Sequence, residues 1–217
     1  MLPSSATAHV VLPTAPPASP RRILVAEDEH LLARNLCNEL TGLGYDVIGP
    51  APNGRRAIEL ASVERPDMAL LDIRMPEMDG LEAGRVLYQQ MHVPIVILSA
   101  YSDSAYVDSA AGIGVFGYLL KPINLDDLRV TLPVAWGRFL EQTRLVGEVH
   151  TLEEKLENRK IIERAKGLIM KHLNLSEEEA MRRLQKQARD SRRPMVELAK
   201  AILDTQGLLN IDRKADA

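Results

Sequence analysis

The sequence predicts an α/β fold, a doubly wound five-stranded parallel sheet, followed by a long helix and an all-α three-helix bundle. Three observations carry this. Strand-like and helix-like segments alternate five times between residues 21 and 130, a pattern of βα units joined by right-handed crossovers. Four of the strand segments are continuous apolar runs, Ile23–Ala26, Met68–Leu71, Ile95–Leu98 and Val115–Leu120, which read as strands buried on both faces. Beyond residue 124 the apolar spacing becomes helical and stays so.

Each element has its own local signal. The first strand lies near 22–26, and the following helix carries Leu31, Leu32, Leu36 and Leu40. Leu43-Gly44 closes that helix, with Gly44 as a left-handed cap. Val47-Ile48 marks the second strand. A helix through Ala57, Ile58 and Ala61 ends before Pro66. The third strand reaches Asp72, and the loop Arg74–Gly80 leads to a helix with Leu81, Val86 and Leu87. The fourth strand reaches Ser99, and an Ala/Gly-rich helix is expected over 103–112. The fifth strand ends at Leu120, and Asn124 or Asp126 caps a helix containing Leu125, Leu128 and Leu132.

From about 124 to 160 the pattern reads as a long helix that Pro133 and Gly137 would bend or break. Leu145, Val149, Leu152 and Leu156 recur at spacings of four, three and four. This seam suits either a short coiled coil or a helix lying on its own domain. Three short amphipathic helices follow. One holds Ile161, Ile162, Ala165, Leu168 and Ile169; one starts at the capping box Ser176–Glu179; one has Pro194 in its first turn and ends at Gly207. Such stripes bury themselves against one another as a small bundle.

The 217 residues suffice for one domain of usual size and a smaller one. Cys37 is the only cysteine, so intramolecular disulfides and cysteine-rich metal sites are excluded, and a buried thiol is expected. No apolar stretch reaches the ~18 residues of a membrane span, so no membrane partner is expected. Five prolines fall in residues 1–20, a disordered-tail composition. No charged region precedes an apolar core there, so the default expectation is a cytoplasmic protein. The net charge of −3 conceals an asymmetry. Residues 21–130 hold 10 Lys and Arg against 16 Asp and Glu, whereas residues 159–200 hold 12 against 6. The basic part points to a polyanionic partner.

In open parallel sheets ligands bind beyond the carboxyl ends of the strands. There the runs end in Glu27-Asp28, Asp72, Ser99 and Lys121. Three carboxylates, a hydroxyl and an ammonium would meet at one edge, a set suited to a divalent cation and a transferred phosphoryl group. Mg²⁺ takes one or two carboxylates plus water and phosphate oxygens. Asp28 and Asp72 would ligate it, Glu27 through water, with a backbone carbonyl just after Asp72 as a further ligand. Asp72 is then the nucleophile, Lys121 pairs with phosphoryl oxygens, and Ser99 donates a hydrogen bond to one of them.

On Glu27-Asp28, Asp72 within Leu-Leu-Asp-Ile-Arg-Met-Pro-Glu-Met-Asp-Gly, Ser99-Ala100 and Lys121-Pro122, residues 21–130 resemble a response-regulator receiver domain. The resemblance implies phosphotransfer from a histidine kinase to Asp72 with Mg²⁺ required, and the carbonyl of Arg74 as a metal ligand. It also implies that the ring of Tyr118, three residues before Lys121, turns inward as the Ser99 hydroxyl moves toward the phosphoryl group. The pair Glu27-Asp28 departs from the commoner Asp-Asp.

The basic helices fit a poor DNA reader, since the third carries only Lys200 among Val, Leu, Ala and Ile. On Glu163–Met170, Ser176–Ala180, Ala188 and Val196–Ala199, residues from about 150 to 205 resemble an ANTAR domain. That family implies a three-helix bundle that binds RNA hairpins in nascent transcripts and prevents termination. Arg164, Lys166, Lys171, Arg182, Lys186 and Arg189 are the expected RNA contacts.

The expected organisation is therefore a tail over 1–20, a receiver domain over 21–130, a helical linker over 131–158, an ANTAR-like domain over 159–207 and a flexible tail over 208–217. The expected function is a response regulator that is not an enzyme and that dimerises when phosphorylated on Asp72. At this stage two alternatives stay open: a phosphorylation-controlled DNA-binding regulator, and a signalling adaptor whose bundle docks a protein.

Overall fold

The computed structural model describes residues 17–100 and 114–215, with side chains through Thr205. The helix expected over 103–112 and most of the tail over 1–20 lie outside these residues. Five strands are present: β1 (Arg22–Ala26), β2 (Asp46–Ala51), β3 (Met68–Asp72), β4 (Ile95–Ser99) and β5 (Val115–Leu120). The described helices are α1 (His30–Gly42), α2 (Gly54–Glu64), α3 (Gly80–Met91), α4 (Leu125–Leu173), α5 (Glu177–Asp190) and α6 (Met195–Ala215). The chain divides into two compact units after Thr143.

In the first unit all strands are parallel, in the order β2-β1-β3-β4-β5. β3 and β4 are buried at every position, and β1 at all but its first. β5 departs from the expectation of burial on both faces. It is an edge strand, and Tyr118 and Leu120 are exposed. One apolar layer holds Leu36, Leu40, Leu70, Leu98 and the start of α4. The other holds Ala57, Leu71, Leu87 and Ile97. Cys37 is only partly buried, packed beside the first layer, and burial raises its thiol pKa.

The caps read from the sequence take recognisable forms. Gly44 has φ +89°, its N–H donates to Thr41, and the N–H of Tyr45 donates to Leu40. These two bonds satisfy carbonyls left over at the end of α1. Asn124 Oδ1 accepts from the N–H of Asp127 at 2.9 Å, so Asn124 rather than Asp126 caps α4.

α4 corrects the expectation of a break near Pro133 or Gly137, because it runs unbroken for 49 residues. An interior proline costs about 3 kcal/mol. Leu128, Leu132, Trp136 and Phe139 flank it and are buried on the sheet, and burial of each such side chain contributes about 1.5–3 kcal/mol. Packing outweighs the proline. The Phe139 ring lies tilted against Trp136 at 5.2 Å and edge-to-face with Phe116 at 5.5 Å, and the Trp136 indole donates to the Pro17 carbonyl at 3.2 Å.

The second unit contains the remainder of α4 with α5 and α6. Its first helix is thus not short but the end of α4. Ser176 and Glu179 form the reciprocal capping box of α5. α6 continues through Gly207 to Ala215, against the expected stop. A glycine in a helix costs about 1 kcal/mol relative to Ala and does not by itself end one; no proline follows it.

Candidate metal centre and basic helical face

Register brings the strand ends together. Ala26 pairs with Leu71, Asp72 with Leu98 and Ser99 with Leu120. Glu27 and Asp28 therefore follow β1 beside Asp72, and Lys121 follows β5 beside Ser99. The Lys121 N–H donates to the Ser99 carbonyl at 2.9 Å. Glu27, Asp72 and Ser99 are buried, at 2%, 6% and 3% exposure. Asp28 is exposed and lines an open cleft with Ile73, Arg74, Met75, Pro76 and Asp79.

Carboxylate oxygens of Glu27, Asp28 and Asp72 lie within 4.8 Å of one another. Lys121 Nζ is 2.8 Å from Asp72 Oδ1 and 2.8 Å from Glu27 Oε2. Glu27 Oε2 is buried and accepts no well-aligned hydrogen bond among the described residues. Burial raises the carboxyl pKa of Glu27, against the lowering effect of Lys121. Burial likewise raises that of Asp72; Lys121 opposes this and Asp28 adds to it. Burial alone would lower the Lys121 pKa, but its bonds to Asp72 and Glu27 leave it raised. An acidic cluster short of positive charge, made of hard oxygen donors and open on the Asp28 side, fits a Mg²⁺ ion.

Ser99 and Tyr118 were expected from the resemblance to act as a switch. The Ser99 hydroxyl donates to the Ala100 carbonyl at 3.1 Å. The Tyr118 side chain lies outward on the edge strand at 36% exposure. Residue types alone did not reveal the role of Gly80. A Cβ there would sit 1.9 Å from the carbonyl oxygen of Asp72, and its N–H donates to Ile73 at 3.0 Å. Only glycine lets α3 begin so close to the backbone of β3. Asp79 caps that helix by accepting from Glu82. The Asp-Gly pair ending the loop was the available signal.

In the helical unit, Arg164, Lys171, Arg182, Lys186 and Arg189 are exposed. Arg182, Lys186 and Arg189 share one face of α5, and Arg182 pairs with Glu178 at 2.6 Å. Lys166, the sixth expected RNA contact, differs from these five in its surroundings. It is 8% exposed and its ammonium pairs with Glu163 and, at 2.8 Å, with Glu177. The hydrogen bonds to these two glutamates raise its pKa. Glu163 is three residues away on the same helix and was legible; Glu177 reaches across from α5.

Residues 23–132 match the response regulator receiver domain, and residues 150–203 match the ANTAR domain. Transcriptional regulatory protein PdtaR of Mycobacterium tuberculosis is 40% identical over 190 residues, which cover 88% of this chain and 93% of that protein. The chain belongs to the response regulator receiver family. This response regulator carries an output domain of the RNA-binding antiterminator type. Regulatory protein AtoC of Escherichia coli is 32% identical over 136 residues, 62% of this chain but 28% of AtoC. The signal receiver domain of a modulated diguanylate cyclase from Desulfovibrio desulfuricans superposes with a TM-score of 0.51 at 33% identity, over 58% of this chain and 98% of that one. A receiver domain implies a histidine kinase partner, and an ANTAR domain implies RNA binding. Both domains are regulatory. No helix among the described residues is long and apolar enough to cross a membrane.

Proposed function

We propose that this response regulator accepts a phosphoryl group on Asp72 from a histidine kinase, dimerises, and binds hairpins in nascent transcripts so that termination is prevented. The observation that carries the reading is the placement of Lys121 Nζ 2.8 Å from Asp72 Oδ1 beside the three-carboxylate cluster. An Asp72 carboxylate oxygen attacks phosphorus, the phosphorus–nitrogen bond of the kinase phosphohistidine breaks, and the imidazole leaves. Glu27, Asp28, Asp72 and the Arg74 carbonyl would hold Mg²⁺, which when bound neutralises charge on the transferring group. Lys121 steadies the phosphoryl oxygens, Ser99 donates to one of them, and Tyr118 moves inward as the second state is populated.

The dimer reading rests on Leu145, Val149, Leu152 and Leu156, all exposed along α4. A second copy would cover this seam in coiled-coil fashion. Arg164, Lys171, Arg182, Lys186 and Arg189 contact phosphates and bases of the hairpin, while Lys166 positions the bundle through Glu177. We place this activity in the cytoplasm. Loss of the chain's own phosphoryl group is self-modification, so the protein is not assigned as an enzyme.

The test is labelling by radioactive acetyl phosphate with Mg²⁺. The full chain is labelled and Asp72→Ala is not. Equal labelling of Asp72→Ala would sink the assignment.

A further inference from the structure

Within the helical unit, three helices each contribute a pair of residues four apart to one groove of about 190 Å³. The pairs are Ile169 and Leu173 from α4, Arg183 and Gln187 from α5, and Leu198 and Ile202 from α6, over a floor of Leu184. The groove is smaller than the about 300–1,000 Å³ of pockets that take drug-sized ligands. It suits one planar ring system. Its walls are aliphatic, and its polar groups come from one helix. Neither the Arg183 nor the Gln187 side chain makes a hydrogen bond or ion pair among the described residues. The neighbouring Arg182 and Arg193 are both held, by Glu178 and Glu197.

At 3.6 residues per turn, Arg183 lies about 60° around α5 from Lys186. The groove thus borders the stripe of Arg182, Lys186 and Arg189. A cationic stripe beside a slot with apolar walls and free donors is the layout that tracks a phosphate backbone and receives an unstacked base. The bundle has no Phe, Tyr or Trp, so a base must lie against Leu, Ile and a guanidinium.

We infer that this groove receives one unstacked base of the hairpin loop, with Arg183 and Gln187 hydrogen-bonding its edge. The inference rests on the RNA-binding reading and names two residues that reading does not use. Arg183 and Gln187 specify, whereas the neighbouring stripe supplies affinity.

The test uses the full chain and a randomised-loop hairpin pool, from which the tightest hairpin is taken. Each loop nucleotide is then made abasic in turn, and binding is measured with the unaltered chain, Arg183→Ala and Lys186→Ala. One abasic position should weaken binding to the unaltered chain about tenfold or more. The same position should matter less than about twofold to Arg183→Ala, because the partner is already gone. Lys186→Ala should keep the full penalty. An equal abasic penalty in Arg183→Ala and the unaltered chain would overturn the groove assignment. So would tight hairpin binding that no abasic position disturbs, which leaves the RNA reading intact. Failure of the unaltered chain to bind any hairpin, as when a protein is the partner, overturns the RNA reading and the groove with it.

Discussion

Lys121 Nζ lies 2.8 Å from Asp72 Oδ1. The ammonium already occupies the place where the oxygens of a phosphoryl group on Asp72 would need a counter-charge. It also holds Glu27 at 2.8 Å, so the site is tied together before any phosphoryl group arrives. Lys121→Met should leave two buried carboxylates without their cation. The expected cost is about 3 kcal/mol without divalent metal, less where the carboxyls protonate. Denaturant unfolding in a chelator checks this; an unchanged midpoint would contradict it.

The Glu27 carboxyl titrates above its ordinary value because it is buried. Its stabilising neutral form is fully present below the unfolded value, and that contribution is lost as pH rises through the folded value. In chelator, Glu27→Gln should therefore match the unaltered chain in mild acid and become the more stable of the two toward neutral pH. Melting temperatures across that range check the sign. Mg²⁺ should reverse the order at neutral pH, since the glutamine supplies no charge to the ion.

Gly80→Ala places a methyl 1.9 Å from the Asp72 carbonyl oxygen. Backbone must move, at a cost of about 1–3 kcal/mol or more. Labelling by acetyl phosphate should fall about tenfold or more, because the displaced loop carries the Arg74 carbonyl. Labelling at the normal rate would show that the loop tolerates the shift.

Leu152 is exposed on α4. Leu152→Glu should change the stability of the monomer by less than about 0.5 kcal/mol, yet abolish dimers formed with beryllofluoride. Sedimentation velocity distinguishes the two states. Persistent dimers would move the interface off the seam.

Lys166→Met removes the ammonium that joins Glu163 and Glu177. RNA binding should weaken without a change in its salt slope. Lys186→Ala should instead reduce the slope by about 0.7–0.9, the value of one phosphate contact. A reduced slope in Lys166→Met would make it a contact after all.

Much of the first unit was legible because local and long-range requirements coincide there. Four of the five strands run into or end on the residues that gather at the site, and Gly44 and Asn124 end or start helices as their chemistry dictates, as Ser176 does in the second unit. Three features were not legible, each for a tertiary reason. Pro133 sits inside α4 because Trp136 and Phe139 anchor the helix beyond it. Gly80 is fixed by a backbone that lies eight residues away in the chain. Lys166 reads as one more basic residue until Glu177 of the next helix covers it. The groove beside Arg183 was hidden likewise, since its three residue pairs come from three helices.

The most direct test is binding of the full chain to a panel of small-loop RNA hairpins at fixed salt, with Mg²⁺, with and without beryllofluoride on Asp72. Tighter hairpin binding in the beryllofluoride state, lost in Asp72→Ala, is the predicted result. Equal binding in both states, or none in either, would contradict control of RNA binding by the phosphorylated aspartate.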